Sequence, residues 1–213
     1  MYYYIILFLI FFRLWYNKGM ERKTTIERKT KETEIVIRIL LDGKGLCSIS
    51  TGVGFLDHML ELFARFSHID IDMKATGDLQ VDTHHLIEDT GICLGQALKK
   101  ALGDKKGIKR FGCSCLPMDE VLVNTCLDIS GRPFLVFNVP IVKGREGSFE
   151  VEDTRELLRG LVVHSGITLH VNLAYGDNLH HINEAIFKSL GIALKQAIKT
   201  QGAELPSTKG IID

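Results

Sequence analysis

Two short runs carry histidine and glutamate at spacings suited to metal chemistry: HHLIE at residues 84–88 and HHINE at residues 180–184. If each begins a helix, His84 and Glu88 lie one above the other, and His85 is also a neighbour of Glu88. His180, His181 and Glu184 repeat that geometry. Adjacent histidines on a helix point about 100° apart, so one ion cannot conveniently take both. The economical arrangement is two ions, each drawing one histidine from each run. Imidazole with carboxylate suits a borderline or harder divalent ion such as Zn, Mn, Fe or Co. One such run alone would usually be a surface or core histidine pair. Two at matched positions are a stronger signal. Asp57 and His58 open another helical stretch, with Asp57 readable as an N-cap and His58 facing the site if the halves face each other. His68, His164 and His170 are expected to be structural. Arg110, Arg132 and Lys209 each follow a Gly- or Ser-containing turn, as anion binders often do. A solvated surface role stays open for each of them.

The elements that must position these residues come in two copies. His68, His84, His85, Glu88, Leu94, Gly95 and Ala97 recur at +96 as His164, His180, His181, Glu184, Leu190, Gly191 and Ala193, and Asp57 recurs as Asp153. Upstream, EIVIRILLDG at residues 34–43 matches EVLVNTCLDI at residues 120–129, but at +86. The difference is expected to be a longer connection in the second copy, at KGREGS (residues 143–148). The chain therefore divides into a first half-domain over residues 20–115, with HHLIE, and a second over residues 116–213, with HHINE and the C-terminal STKG segment. In the first half, residues 34–41 alternate and return through Asp42-Gly43 to residues 46–50, which reads as a hairpin. Phe55, Met59, Leu62, Phe63 and Phe66 have helical spacing. Residues 69–75 read as a strand, residues 83–102 as a second helix, and one more strand is possible up to Asp82. The expected fold class is α+β: internally duplicated half-domains, each a small, mostly antiparallel sheet with two helices packed on one face.

Composition narrows the partners. The 213 residues carry 26 Lys and Arg against 26 Asp and Glu, so no global field attracts nucleic acid or an anionic membrane. Residues 1–19 stand apart: eight of the chain's seventeen aromatics lie between Tyr2 and Tyr16. That run is too short to span a bilayer comfortably and lacks the flanks of a secretory signal. We read it as an extension outside the functional protein, beginning before a cytosolic start at Met20, with a membrane-surface anchor as the alternative. Cys47, Cys93, Cys113, Cys115 and Cys126 contain no C-x-x-C pair and read as small apolar residues in a reducing, cytoplasmic setting.

Taken together, these motifs resemble the imidazoleglycerol-phosphate dehydratase family of histidine biosynthesis. The carrying segments are TKET (30–33), STGVGFLDHML (50–60), ATGDLQVDTHHLIED (75–89), GIKRFG (107–112), LPMDE (116–120), LDISGRP (127–133), NLHHINEAIFK (178–188) and LPSTKG (205–210). The resemblance implies a duplicated fold of the kind also found in a ribosomal small-subunit protein domain. It implies two Mn ions per site and a homo-oligomeric shell of twenty-four chains with sites between subunits. One metal would take His58, His85, His180 and Glu184. The other would take His84, Glu88, Glu156 and His181, although many relatives have His where this chain has Glu156. Arg110, Arg132, Ser207 and Lys209 would hold the substrate phosphate, with Lys188 nearby. Thr208 and the metal-side residues Glu32, His58, His84, Glu88 and His180 would also meet substrate. Glu32 would be the acid/base group, carried on a flexible lead-in to the first strand.

The implied reaction removes water from imidazoleglycerol phosphate to give imidazoleacetol phosphate. The carbon that loses its proton is not beside a carbonyl, so the imidazole ring must act as electron sink through a diazafulvene-like intermediate. Two metals, one on each ring nitrogen, suit that route. A binuclear metallohydrolase is the alternative, but no Asp-rich bridging motif is present. Metal storage or RNA binding on the same fold is the non-enzyme alternative, and zero net charge with no basic-aromatic patch argues against RNA.

Overall fold

The computed structural model describes residues 21–140 and 144–212. The expectations for residues 1–19 lie outside them. The first half contains β1 (Lys23–Lys29), β2 (Thr33–Leu40), β3 (Cys47–Ser50), α1 (Gly54–Ser67), β4 (Asp70–Gly77) and α2 (His84–Leu102). The second contains β5 (Phe111–Met118), β6 (Val121–Asp128), β7 (Phe134–Asn138), the short hairpin β8 (Arg145–Glu146) and β9 (Phe149–Glu150), α3 (Val151–Ser165), β10 (Thr168–Tyr175) and α4 (Leu179–Ile198). The sheets have the same strand order, β1-β2-β4-β3 and β5-β6-β10-β7. The duplication is thus a duplication of topology. The β8–β9 hairpin falls where the second copy was expected to be longer.

Alternation builds the sheets. Ile35, Ile37 and Ile39 are buried along β2, as are Val121, Val123, Thr125 and Leu127 along β6, while the residues between them are only partly covered or exposed. In each half one helix lies on the antiparallel strands, α2 on β1 and β2 and α4 on β5 and β6, while α1 and α3 lie on the edge strands β3 and β7. The halves then join through their helices, α1 on α4 and α2 on α3. Glycines permit these crossings. A Cβ on Gly91 would sit 2.2 Å from the Leu157 carbonyl oxygen, and one on Gly95 would sit 2.5 Å from that of Leu161. A Cβ on Gly191, the repeat partner of Gly95, would meet the Ser67 amide nitrogen at 2.9 Å.

Several expectations need correction. Residues 46–50 do not return against β2: β4 lies between them, and β3 runs parallel to β4. The segment is the first strand of a β3–α1–β4 crossover, and parallel strands need such a helical connection. The Asp70 carboxylate fastens the intervening loop by accepting the amides of Lys44 and Leu46, both at 2.8 Å. No strand forms between Gly77 and α2. Strand β1 went unread because KTTIERK is an edge strand rich in charge, with only Thr24 fully buried. The expected half-domain junction near Leu116-Pro117 falls inside β5, the counterpart of β1. Asp57 is not an N-cap: Val53 is, and Asp57 accepts the Thr51 amide at 2.9 Å and its hydroxyl at 2.6 Å. Four of the five cysteines are exposed, so the apolar reading holds only for Cys93.

Candidate active site

His58 comes from the first half of the chain, His180 and Glu184 from the second. The parallel packing of α1 on α4 brings their first turns together. His58 Nε2 lies 2.9 Å from Glu184 Oε1, and His180 Nε2 lies 3.3 Å from the same oxygen. Each of the three residues offers a ligand atom, and these atoms all lie within 4.8 Å of one another. Glu184 is only 8% exposed. Burial alone would raise its carboxyl, but hydrogen bonds from Lys188 and His58 outweigh that and hold it down at about 2. Lys188 Nζ donates to Glu184 Oε2 at 2.5 Å, so the lysine expected beside the phosphate pairs with a metal-ligand candidate. Phe55 stacks its edge on His180, with ring centroids 5.2 Å apart, and meets Phe149 of the inserted hairpin at 5.1 Å.

His85 and His181 belong to neither half of that cluster. His85 Nδ1 lies 3.1 and 3.3 Å from the two Asp78 carboxylate oxygens, and 3.9 Å from Glu32 Oε2. His181 Nδ1 lies 2.9 Å from Glu120 Oε2, and its Nε2 lies 3.8 Å from Asp119. Asp119, Glu120 and His181 form a second group of three with ligand atoms within 4.8 Å, on the surface. The hydrogen bonds with Asp78 and Glu120 push both histidines up from their ordinary values. Of the second expected ligand set, Glu88 and Glu156 lie on the crossing helices α2 and α3, and Glu156 accepts from Arg159 at 3.3 Å. His84 is exposed, with its backbone amide donated to Asp82 at 2.9 Å. Within one chain these residues and His181 do not gather as the first three do. His68 and His164 have structural partners, Lys195 at 3.0 Å and the Gly160 carbonyl oxygen at 2.9 Å. His170 is exposed on β10.

Glu32 sits in the turn between β1 and β2, a fastened turn and not a flexible lead-in. Thr30 Oγ1 accepts the amides of Glu32 at 3.0 Å and Thr33 at 2.9 Å. Asp89 of α2 accepts from Arg28 Nε at 2.8 Å and from the Thr33 hydroxyl. The turn is thereby tied to the helix that carries His85. A cleft of about 340 Å³ opens there, lined by Lys29, Thr30, Glu32, Thr33, Gly77 and Asp78 among others. A larger cavity, about 510 Å³, lies between β7 and α3 but is lined by none of the expected ligands.

The basic residues meet at the opposite end of α4. Arg110 has φ 75°, rare for a non-glycine. It donates twice to Asp128, at 2.7 and 3.1 Å, and once to the Pro206 carbonyl oxygen at 2.9 Å. The last contact pins the LPSTKG segment, in which Ser207 Oγ accepts the Lys209 amide at 3.2 Å. Arg132 Nη2 stands 3.9 Å from Asp128 and Thr208 is exposed. Two arginines share one carboxylate, and Lys209 adds another cation, so the patch keeps a positive excess for an anion. Asp78, Glu120 and Asp128 escaped the sequence reading. Glu120 could have been found by position, since it immediately precedes β6 as Glu32 precedes β2.

Comparison with known proteins bears on the same residues. The family model described as imidazoleglycerol-phosphate dehydratase matches residues 51–194. The chain is 52% identical over 193 residues to the imidazoleglycerol-phosphate dehydratase of Thermoanaerobacter pseudethanolicus, covering 90% of this chain and all of that protein. It is 51% identical over 195 residues to that of Moorella thermoacetica, covering 91% of this chain and all of that one. The crystal structure of the Staphylococcus aureus enzyme superposes with a TM-score of 0.76 at 39% identity, over 84% of this chain and 99% of that one. A fold of two matched half-domains, histidines gathered from both, and relatives alike over their whole length place this chain in the imidazoleglycerol-phosphate dehydratase family.

Proposed function

We propose that the protein is the hydro-lyase of histidine biosynthesis that converts D-erythro-imidazoleglycerol phosphate to imidazoleacetol phosphate, with two Mn ions per site. The observation that carries the metal reading is the convergence of His58, His180 and Glu184 within 4.8 Å. Two imidazoles and a carboxylate fit a borderline divalent ion. His85 would complete that set, while His84, Glu88, Glu156 and His181 would hold the second ion. Because His85 and His181 lie outside the cluster of their own chain, bonded instead to Asp78 and Glu120, the reading gives those ligands to a neighbouring copy, in a homo-oligomer that the family resemblance takes to twenty-four chains. The ions, when bound, supply the Lewis acidity that draws charge into the substrate's imidazole ring.

The chain's own residues do the rest. Glu32, held in its fastened turn beside His85, takes the proton from carbon and returns one to the departing hydroxyl. Arg110, Arg132, Ser207, Thr208 and Lys209 bind the phosphate, turning remote binding energy into orientation at the ring. Arg110 donates its amide to Ala197, thirteen residues beyond Glu184 on α4 and its C-terminal flank. At 1.5 Å per residue that is about 20 Å, farther than a five-membered ring with a three-carbon phosphate tail spans. This separation supports a phosphate site and a metal cluster contributed by different copies. A cytoplasmic setting accords with five free thiols. The test is formation of imidazoleacetol phosphate by the purified protein. Activity should vanish on chelation and return with Mn. Absence of product with Mn present overturns the function, and undiminished product after rigorous chelation overturns the metal reading.

A further inference from the structure

His85 and His181 stand in the first turns of α2 and α4, the same place in each copy of the repeat. Each presents Nδ1 to a carboxylate: His85 to Asp78 at 3.1 Å, His181 to Glu120 at 2.9 Å. An imidazole held this way is fixed in the tautomer that leaves Nε2 as the ligating atom, and its ring no longer swings freely.

The two carboxylates are not counterparts in the repeat. In the first sheet Ile35, Ile37 and Ile39 stand opposite Ala75, Met73 and Ile71. In the second, Val123, Thr125 and Leu127 stand opposite Leu173, Val171 and Leu169. With β4 (Asp70–Gly77) matched to β10 (Thr168–Tyr175) end to end, at +98, these ladders match β2 to β6 at +88, two residues from the +86 that sequence similarity suggests. Counted back from those pairs, the counterpart of Glu120 is Glu32. Yet Glu32 stays 3.9 Å from His85 Nδ1, because Asp78, at the end of β4, occupies that nitrogen.

We infer that Asp78 and Glu120 are positioning residues that fix His85 and His181 with Nε2 free for a divalent metal, and that Asp78 holds the place at His85 which Glu120 holds at His181, leaving Glu32 unbound for proton transfer. The inference rests on the reading of His85 and His181 as metal ligands. Divergence between the halves then has a chemical purpose: one copy keeps its turn carboxylate as an orienter, and the other releases it.

The test measures Mn affinity of the full chain by competition with a chelator, in Asp78→Asn, Asp78→Ala, Glu120→Gln, Glu120→Ala and the control His181→Ala. Loss of an outer carboxylate weakens metal binding by about 10–100-fold. The expected series is a fall of about tenfold for each amide and toward 100-fold for each alanine, at one ion of the two. Wild-type affinity in the amide variants, which are isosteric and preserve the fold even if the alanine variants do not, overturns the positioning role. If His181→Ala loses an ion while the amides keep both, the ligand reading stands and this inference falls. If His181→Ala also keeps both ions, the ligand reading falls and takes the inference with it.

Discussion

Two glutamates in equivalent turns meet different fates. Glu120 is committed to His181, and its carboxyl is held below the usual range, first of all by that hydrogen bond. Glu32 is exposed, with a fastened backbone and an uncommitted approach to His85. Glu184 is held by His58 and Lys188, and Glu88 and Glu156 are the remaining ligand candidates, so the proposed proton transfer falls to Glu32. Glu32→Gln keeps size and hydrogen bonding but removes proton exchange. We expect turnover to fall by about 10²–10⁴-fold, as for a lost general acid/base, with metal content and assembly unchanged. Steady-state kinetics alongside metal analysis by mass spectrometry checks this. A variant turning over within about threefold of wild type would move the proton to another group.

The helices that carry these side chains are set by glycine contacts at their crossings. Gly→Ala in a helix normally stabilises by up to about 1 kcal/mol. At Gly91 the added methyl would have to displace the Leu157 carbonyl from 2.2 Å, so the sign reverses. Overpacking of this kind costs about 1–3 kcal/mol, and we expect Gly91→Ala to lower the melting temperature by several degrees and to weaken metal binding as α2 and α3 part. Gly54→Ala, at the start of α1 with nothing within 4 Å of its Cβ, is the control and should melt at or slightly above the wild-type temperature. Thermal denaturation of both variants decides the matter. The same elements show what the sequence could reveal. Buried alternation in β2 and helical spacing in α1 and α2 were legible because each buries a mostly apolar face, interrupted only by Thr33, Ser67, Asp89 and Thr90. Strand β1 was not, since an edge strand needs little burial. Strand β3 was assigned the wrong partner, because Asp42-Gly43 signals a turn without saying which strand the chain meets afterwards. Histidine motifs announced the site by type and spacing. Asp78, Glu120 and Asp128 stayed hidden because a carboxylate's partner is fixed by the fold and by no local pattern.

At the scale of the molecule, the described residues hold one ligand group drawn from both halves, while His85 and His181 stand outside it. His58, His180 and Glu184 converge through the packing of α1 on α4, while His85 and His181 are held by carboxylates beyond it. If His85 and His181 are metal ligands as proposed, a chain built this way closes an ion's ligand shell only with a second copy. On that reading metal binding free energy becomes assembly free energy, since the ion binds the assembled state more tightly than the isolated chain. We expect chelation to reduce the Mn-loaded oligomer to smaller particles, and added Mn to rebuild it, as seen by native mass spectrometry. His85→Ala removes a bridging ligand while leaving the gathered cluster whole, so it should produce the same small particles even with Mn in excess. His58→Ala removes a ligand within the chain and should weaken one ion without selecting a particle size of its own. Full-sized particles from the chelated protein and from His85→Ala alike would separate assembly from metal, and leave the sheet edges and helix faces to hold the subunits together.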